Sequence, residues 1–131
     1  MKSKLKFKLP ALLYMGLILS ISSLNQQMVS KYSFGLEDFM LHAVEYNVLG
    51  VLLIWAIYSD KAEIELKQSY RLAMGAGTLF AMADEFLQSF IPSRHASLED
   101  VVADVFGLIL SIISFSLLMK IPGLQRLRQN A

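Results

Sequence analysis

Acidic and polar side chains concentrate between two apolar segments, in the stretch DEFLQSFIPSRHASLEDVVADVFG from Asp84 to Gly107. Carboxylates placed there could act as general acids or bases or as ligands, and an arginine fork suits a phosphate or carboxylate group. Ionisable groups in membrane-spanning helices cost roughly 2.5–3.5 kcal/mol each at the bilayer centre and are usually retained for a site. The candidate site residues of this stretch are Asp84, Glu85, Gln88, Arg94, Ser97, Asp100 and Asp104.

A second polar group lies near the start of the apolar run 39–58. His42, Glu45, Tyr46 and Leu49 recur at spacings of three and four and therefore share one helical face. His42 and Glu45 could form a metal or proton-relay pair, but a histidine hydrogen-bonded inside a helix bundle is the commoner case. No recognised zinc-ligand spacing is present. We therefore predict no metal and no cofactor, with a divalent cation shared among carboxylates as the less favoured alternative.

The composition is that of an integral membrane protein. Of the 131 residues 55% are hydrophobic, and the mean hydropathy of +0.49 is high for a soluble domain of this size. The absence of cysteine excludes disulfides and thiolate metal sites. We predict an all-α fold, a single domain over residues 1–131 that forms a bundle of four transmembrane helices. The predicted spans of this polytopic membrane protein are about 7–24, 39–58, 72–91 and 101–119.

The first apolar run has an alternative interpretation. Its uninterrupted part, from Pro10 to Ser23, is short for a span, which needs roughly 17–25 residues. Four lysines precede it, as in a secretory signal peptide that is later cleaved. We favour a retained span, because more hydrophobic spans follow.

Small residues mark the surfaces through which the predicted helices can pack. In the third run, Ala73, Gly77, Ala81 and Glu85 lie four apart, and such a stripe lets another helix approach closely. The fourth run has a polar-to-small face at spacings of four and three. That face consists of Asp100, Asp104, Gly107, Ser111 and Ser114.

Two connections flank the third run. Residues 59–71 are charged throughout and are interpreted as a solvated loop or a short surface helix. Pro92 breaks the chain before the fourth run. Ser97 is a candidate N-cap there, and Asp100 stands three residues on, as in a capping box.

Basic residues predict the orientation. Four Lys or Arg precede the first span, three lie between the second and third, and three follow the fourth, against only Lys31 and Arg94 on the other side. By the positive-inside rule both termini are cytoplasmic. The polar groups of the second, third and fourth spans then lie within roughly 5–12 Å of the outer boundary. Carboxylates clustered at low dielectric cannot all ionise, so some retain protons or share a cation.

In its polar residues of the second, third and fourth runs, the sequence resembles the VanZ-like family of bacterial membrane proteins. The family pattern has a His and a Tyr at the start of its second span, then an acidic pair, a Gln, an Arg and an Asp around the turn between the third and fourth. The matching residues, over roughly 38–111, are His42, Glu45, Tyr46, Leu49, Gly50, Asp84, Glu85, Gln88, Arg94, Ser97, Asp100 and Gly107. Family members often carry Asn in place of Asp104 and Gly in place of Ser111, so the resemblance gives Asp104 no role.

The resemblance implies a multi-pass protein of the bacterial cell membrane, of a type linked to glycopeptide resistance and chiefly to teicoplanin. In the first hypothesis, the polar residues bind a lipoglycopeptide or a lipid-linked cell-wall precursor. In the alternative, the protein is an intramembrane enzyme, with Asp84 or Glu85 as the base and Arg94 as the phosphate clamp. A transporter would need the polar face to continue to the cytoplasmic side of the membrane. The inner halves of spans two and four are apolar, which argues against a transporter. We expect no nucleic-acid partner, and the oligomeric state stays open.

Overall fold

The described part of the chain forms four long helices. The computed structural model describes residues 2–24, 36–60, 64–92 and 97–124. The described ranges are helical apart from turns and caps, which confirms the all-α prediction. The helices are α1 (Lys2–Ser22), α2 (Leu36–Asp60), α3 (Leu66–Gln88) and α4 (Leu98–Leu118).

The helices run up and down in an antiparallel bundle, as contacts at its two ends show. At one end the start of α1 meets the end of α2, where the Phe7 and Trp55 rings lie 6.1 Å apart. The start of α3 meets the end of α4 there, through a 2.9 Å hydrogen bond between the Tyr70 and Ser116 hydroxyls. We call this the basic end, because the lysines of α1 begin there.

The third helix begins earlier than the sequence predicted. The interpretation of 59–71 as a loop was wrong for its last six residues, since α3 starts at Leu66 rather than near Leu72. Ser69 is buried, and Tyr70 packs edge-on against the Phe115 ring. Lys67 and Arg71 stay exposed on the other face. The first one and a half turns of α3 are therefore amphipathic. The charged residues lie on their solvated face and do not interrupt the helix.

Helices α2 and α4 make the most extensive contact in the bundle, and glycines permit it. A side chain on Gly107 would collide with the backbone of Ala43, and one on Gly50 with the Ser111 side chain. On α3, Ala73, Gly77 and Ala81 are all buried or in contact with the core, as their spacing predicted. Close approach through small residues is the usual way in which membrane helices associate.

The outer surface of the bundle is apolar. Leu13 is 66% exposed, Leu79 is 70% exposed and Ile113 is 58% exposed. Patches of this kind are unusual on soluble monomers but suit a lipid environment. Two segments, Leu36–Ser59 and Leu98–Leu118, are long and apolar enough to cross a membrane by length and composition. A bundle of four spans therefore stays a prediction. The third helix is less apolar than these two segments, because it carries Arg71, Asp84 and Glu85 within its length.

Candidate functional site

Polar side chains from all four helices meet at the end of the bundle opposite the basic end. This polar end consists of the last turn of α1, the first turns of α2 and α4 and the last turns of α3. His42 on α2 and Asp104 on α4 form a pair there, with 2.9 Å between Nδ1 and Oδ1. The Asp104 side chain is 1% exposed. An ionic hydrogen bond in such surroundings fixes the orientation of the imidazole ring.

Asp84 joins α1 to α3. Its side chain is buried, and Oδ2 accepts hydrogen bonds from the Ser22 hydroxyl at 2.9 Å and from Gln88 Nε2 at 3.2 Å. Gln88 follows Asp84 by four residues, so the two side chains share one face of α3. Ser22 was not among the predicted site residues. No signal in the sequence pointed to it, because only the structure shows that Ile18, four residues earlier on α1, faces the core.

Glu85 joins the end of α3 to the start of α4. Its Oε2 accepts a hydrogen bond of 2.9 Å from the backbone N–H of Ser97, and the Ser97 hydroxyl accepts one from the N–H of Glu99. The predicted N-cap is therefore confirmed. In a capping box the third helical residue returns to the cap N–H. Here Glu85 of another helix occupies that place instead of Asp100, so the cap becomes a tertiary contact.

Two buried oxygens of the polar end have no hydrogen-bond partner among the described residues, Tyr46 Oη and Glu85 Oε1. Tyr46 is fully buried, and Glu85 is 5% exposed. Tyr46 lies one turn beyond His42 on the same face of α2, within the buried cluster that includes Ala81 and Leu108. Buried polar groups are nearly always satisfied in proteins, so such atoms point to a bound molecule, ion or water.

The remaining predicted residues have different positions. Glu45 is half-buried, on the same helical face as His42 and Tyr46. Asp100 lies close to His42 and to Asp38, and their ligand atoms are all within 4.8 Å of one another. A metal or proton-relay pair of His42 with Glu45 was the less favoured possibility in the sequence. In the described part of the chain, the potential ligand atoms that lie near His42 belong to Asp38 and Asp100. Arg94 lies outside the described residues.

The structure thus brings together the predicted site residues that it describes. Six of them form three hydrogen-bonded pairs: His42 with Asp104, Asp84 with Gln88, and Glu85 with Ser97. Neutral and charged groups that can exchange protons, bind an oxygen-rich ligand or hold a cation are all present. Their functional roles stay predictions.

Comparison with known proteins decides the family. The family model VanZ/LLP1 matches residues 18–119. The chain belongs to the VanZ/LLP1 family. The match confirms the resemblance found in the sequence, and it extends from the last turns of α1 to the end of α4. It therefore includes Ser22 as well as every predicted site residue. No curated protein and no solved structure matches the chain at a significant level.

Membership of the VanZ/LLP1 family relates the chain to glycopeptide resistance at the level of the family. Together with the two helices that are apolar enough to span a bilayer, it makes the membrane the plausible location of this protein.

Proposed function

We propose that this VanZ/LLP1 protein lies in the bacterial cell membrane with its polar end outward and contributes to glycopeptide resistance of the teicoplanin type, or more broadly to cell-envelope function. In this proposal the polar end binds a lipoglycopeptide or a lipid-linked cell-wall precursor. Both meet the membrane at its outer leaflet. The basic end, with both termini, then faces the cytoplasm in accordance with the positive-inside rule.

One observation carries the proposal: three buried carboxylates, of Asp84, Glu85 and Asp104, lie at one end of a bundle whose other buried side chains, among the described residues, are apolar or uncharged. Burial of ionisable groups costs free energy unless each is paired and hydrogen-bonded. Apolar residues at these positions would be expected to give a more stable bundle, because replacing buried ion pairs with apolar groups is often neutral or stabilising. The presence of these carboxylates despite that cost therefore supports a binding or chemical role.

The alternative is an intramembrane enzyme that acts on a lipid-linked envelope substrate. The observation in its favour is Glu85 Oε1, a buried carboxylate oxygen without a hydrogen-bond partner in the described ranges. A general base needs an oxygen that is free to accept a proton from the substrate. Arg94 would hold a phosphate in this reading.

Glu85→Gln tests the proposed role in resistance. The amide oxygen can still accept from the Ser97 N–H, so the contact between α3 and α4 can persist while the charge is lost. In a glycopeptide-sensitive Gram-positive host, we expect the wild-type protein to raise the inhibitory concentration of teicoplanin. The Glu85→Gln variant should return it to the level of the empty vector, and vancomycin serves as the comparison drug.

Glu99→Gln is the matched control, because Glu99 is an exposed carboxylate on the first turn of α4. It should protect as well as the wild type at equal membrane levels. A wild-type protein that gives no protection, or a Glu85→Gln variant that protects fully, would contradict the proposal. Under the enzyme alternative, Glu85→Gln binds a purified lipid-linked substrate but does not turn it over, whereas under the binding proposal affinity falls together with protection.

A further inference from the structure

Three potential metal ligands from two helices converge at the polar end, beside the His42–Asp104 pair. They are Asp38 and His42 on α2 and Asp100 on α4, all half-buried, with ligand atoms within 4.8 Å of one another. Ligand atoms that share a zinc ion stand roughly 3–4 Å apart, given bonds of about 2.0–2.2 Å. The three ligand atoms have to approach one another by up to roughly 1–2 Å for one ion to bind all of them.

We propose that Asp38, His42 and Asp100 bind a divalent transition-metal ion, with Zn²⁺ and Mn²⁺ as the ions that suit the donor set. Two carboxylates and one imidazole combine the ligands that manganese and zinc accept. Three protein ligands leave at least one coordination position open, as in catalytic rather than structural metal sites.

The helices position these ligands through contacts described above. Asp38 and His42 are four residues apart and project from the same face of α2. Asp100 lies in the first turn of α4, whose start is fixed by the Ser97 cap and by Glu85. The close approach of α2 to α4 at Gly107 brings the two sets of ligands together.

Asp104 supplies the orientation that a metal-binding histidine needs. The Nδ1–H of His42 donates to the Asp104 carboxylate at 2.9 Å, and a metal that binds at Nε2 displaces the proton that this nitrogen carries in the ionic pair. Histidines that bind metal usually donate their other ring nitrogen to a carboxylate or carbonyl in this way. Asp104 is thus a positioning residue in this proposal, and its near-complete burial excludes water as a competing acceptor.

A second, independent observation points to a bound cation. Glu85 Oε1 is buried and has no hydrogen-bond partner among the described residues. The same carboxylate accepts a hydrogen bond from the N–H of Ser97, three residues before the ligand Asp100, so it lies beside the start of α4. A cation held by the three ligands offsets the mutual repulsion of these carboxylates, which otherwise opposes their close approach at low dielectric.

The open position determines what the metal could do. A divalent ion polarises or neutralises an oxygen of an anionic group. The phosphate of a lipid-linked precursor is such a group, and this extension rests on the proposed function. Metal binding itself is independent of it, because it can be measured on the purified chain without a resistance phenotype.

The test uses the full chain in detergent micelles, stripped with a chelator and then dialysed against Zn²⁺ or Mn²⁺ alone. We expect saturable binding with a single site per chain, and a nitrogen ligand in the zinc-edge X-ray absorption spectrum. Asp38→Asn and Asp100→Asn should each weaken binding by at least about 10-fold, and Asp104→Asn by roughly 10–100-fold, as for other carboxylates that orient a ligand histidine.

Two exposed neighbours serve as matched controls, Glu37→Gln on α2 and Glu99→Gln on α4. Both should bind metal as the wild type does, and all variants are checked for unchanged helical circular dichroism before dialysis. A wild-type chain that binds neither metal would overturn the proposal. So would unchanged affinity in well-folded Asp38→Asn and Asp100→Asn, or an equal loss in the controls.

Discussion

Gly107→Ala is expected to destabilise the bundle by roughly 1–3 kcal/mol, the usual cost of inserting a methyl group into a packed core. A Cβ at this position falls onto the carbonyl group of Ala43 on the facing helix. Backbone atoms cannot rotate away as a flexible side chain can, so α2 and α4 have to separate. Because this contact is the most extensive one in the bundle, separation also loosens the polar end above it.

Gly75→Ala is the matched control on α3. A Cβ there meets nothing within 4 Å, so the substitution adds helix propensity without a clash. We expect unchanged or higher stability, by up to about 1 kcal/mol. Unfolding of the detergent-solubilised protein, followed by far-ultraviolet circular dichroism, compares the two. Equal stability of the two variants would show that α2 and α4 do not approach closely at Gly107.

His42→Ala is expected to lower the stability of the bundle by roughly 3–5 kcal/mol, which is more than the effect of Gly107→Ala. The substitution leaves one member of a buried ionic pair without its partner. Asp104 is almost completely inaccessible, so its carboxylate cannot turn to water when the imidazole is removed. The Asp104 carboxylate then either stays charged and desolvated without a partner or takes up a proton.

A double-mutant cycle separates this pairwise effect from lost packing. The double variant His42→Ala with Asp104→Ala removes the charge together with its partner, so it should be more stable than the sum of the single effects predicts. Unfolding in metal-free buffer keeps the pair apart from any bound ion. Strictly additive losses would mean that His42 and Asp104 do not interact, contrary to their 2.9 Å contact.

The helices and their packing faces could be predicted because both follow from local spacing. Ala73, Gly77 and Ala81 recur every four residues, which corresponds to one helical face, and the structure buries that face. The common level of the polar groups followed from the lengths of the apolar runs. His42, Glu85 and Asp104 do lie at one end of the bundle.

Other features depend on which helices touch, and the spacing along one helix does not contain that information. The contact of Glu85 with the cap at Ser97 crosses from α3 to α4. The grouping of Asp100 with Asp38 and His42 crosses from α4 to α2, whereas the spacing along α2 relates His42 only to Asp38 and Glu45 of its own helix. Hydropathy also misplaced the start of α3, because it averages an exposed Lys67 with a buried Ser69.

The orientation of the polar end is the central claim, and the chain is well suited to a direct test because it contains no cysteine. Glu99→Cys places a thiol on an exposed position of the polar end, and Lys120→Cys places one on an exposed position of the basic end. In intact cells, a membrane-impermeant maleimide should label the Glu99→Cys protein and should label the Lys120→Cys protein only after permeabilisation. The reverse pattern would put the buried carboxylates at the cytoplasmic face and contradict the account.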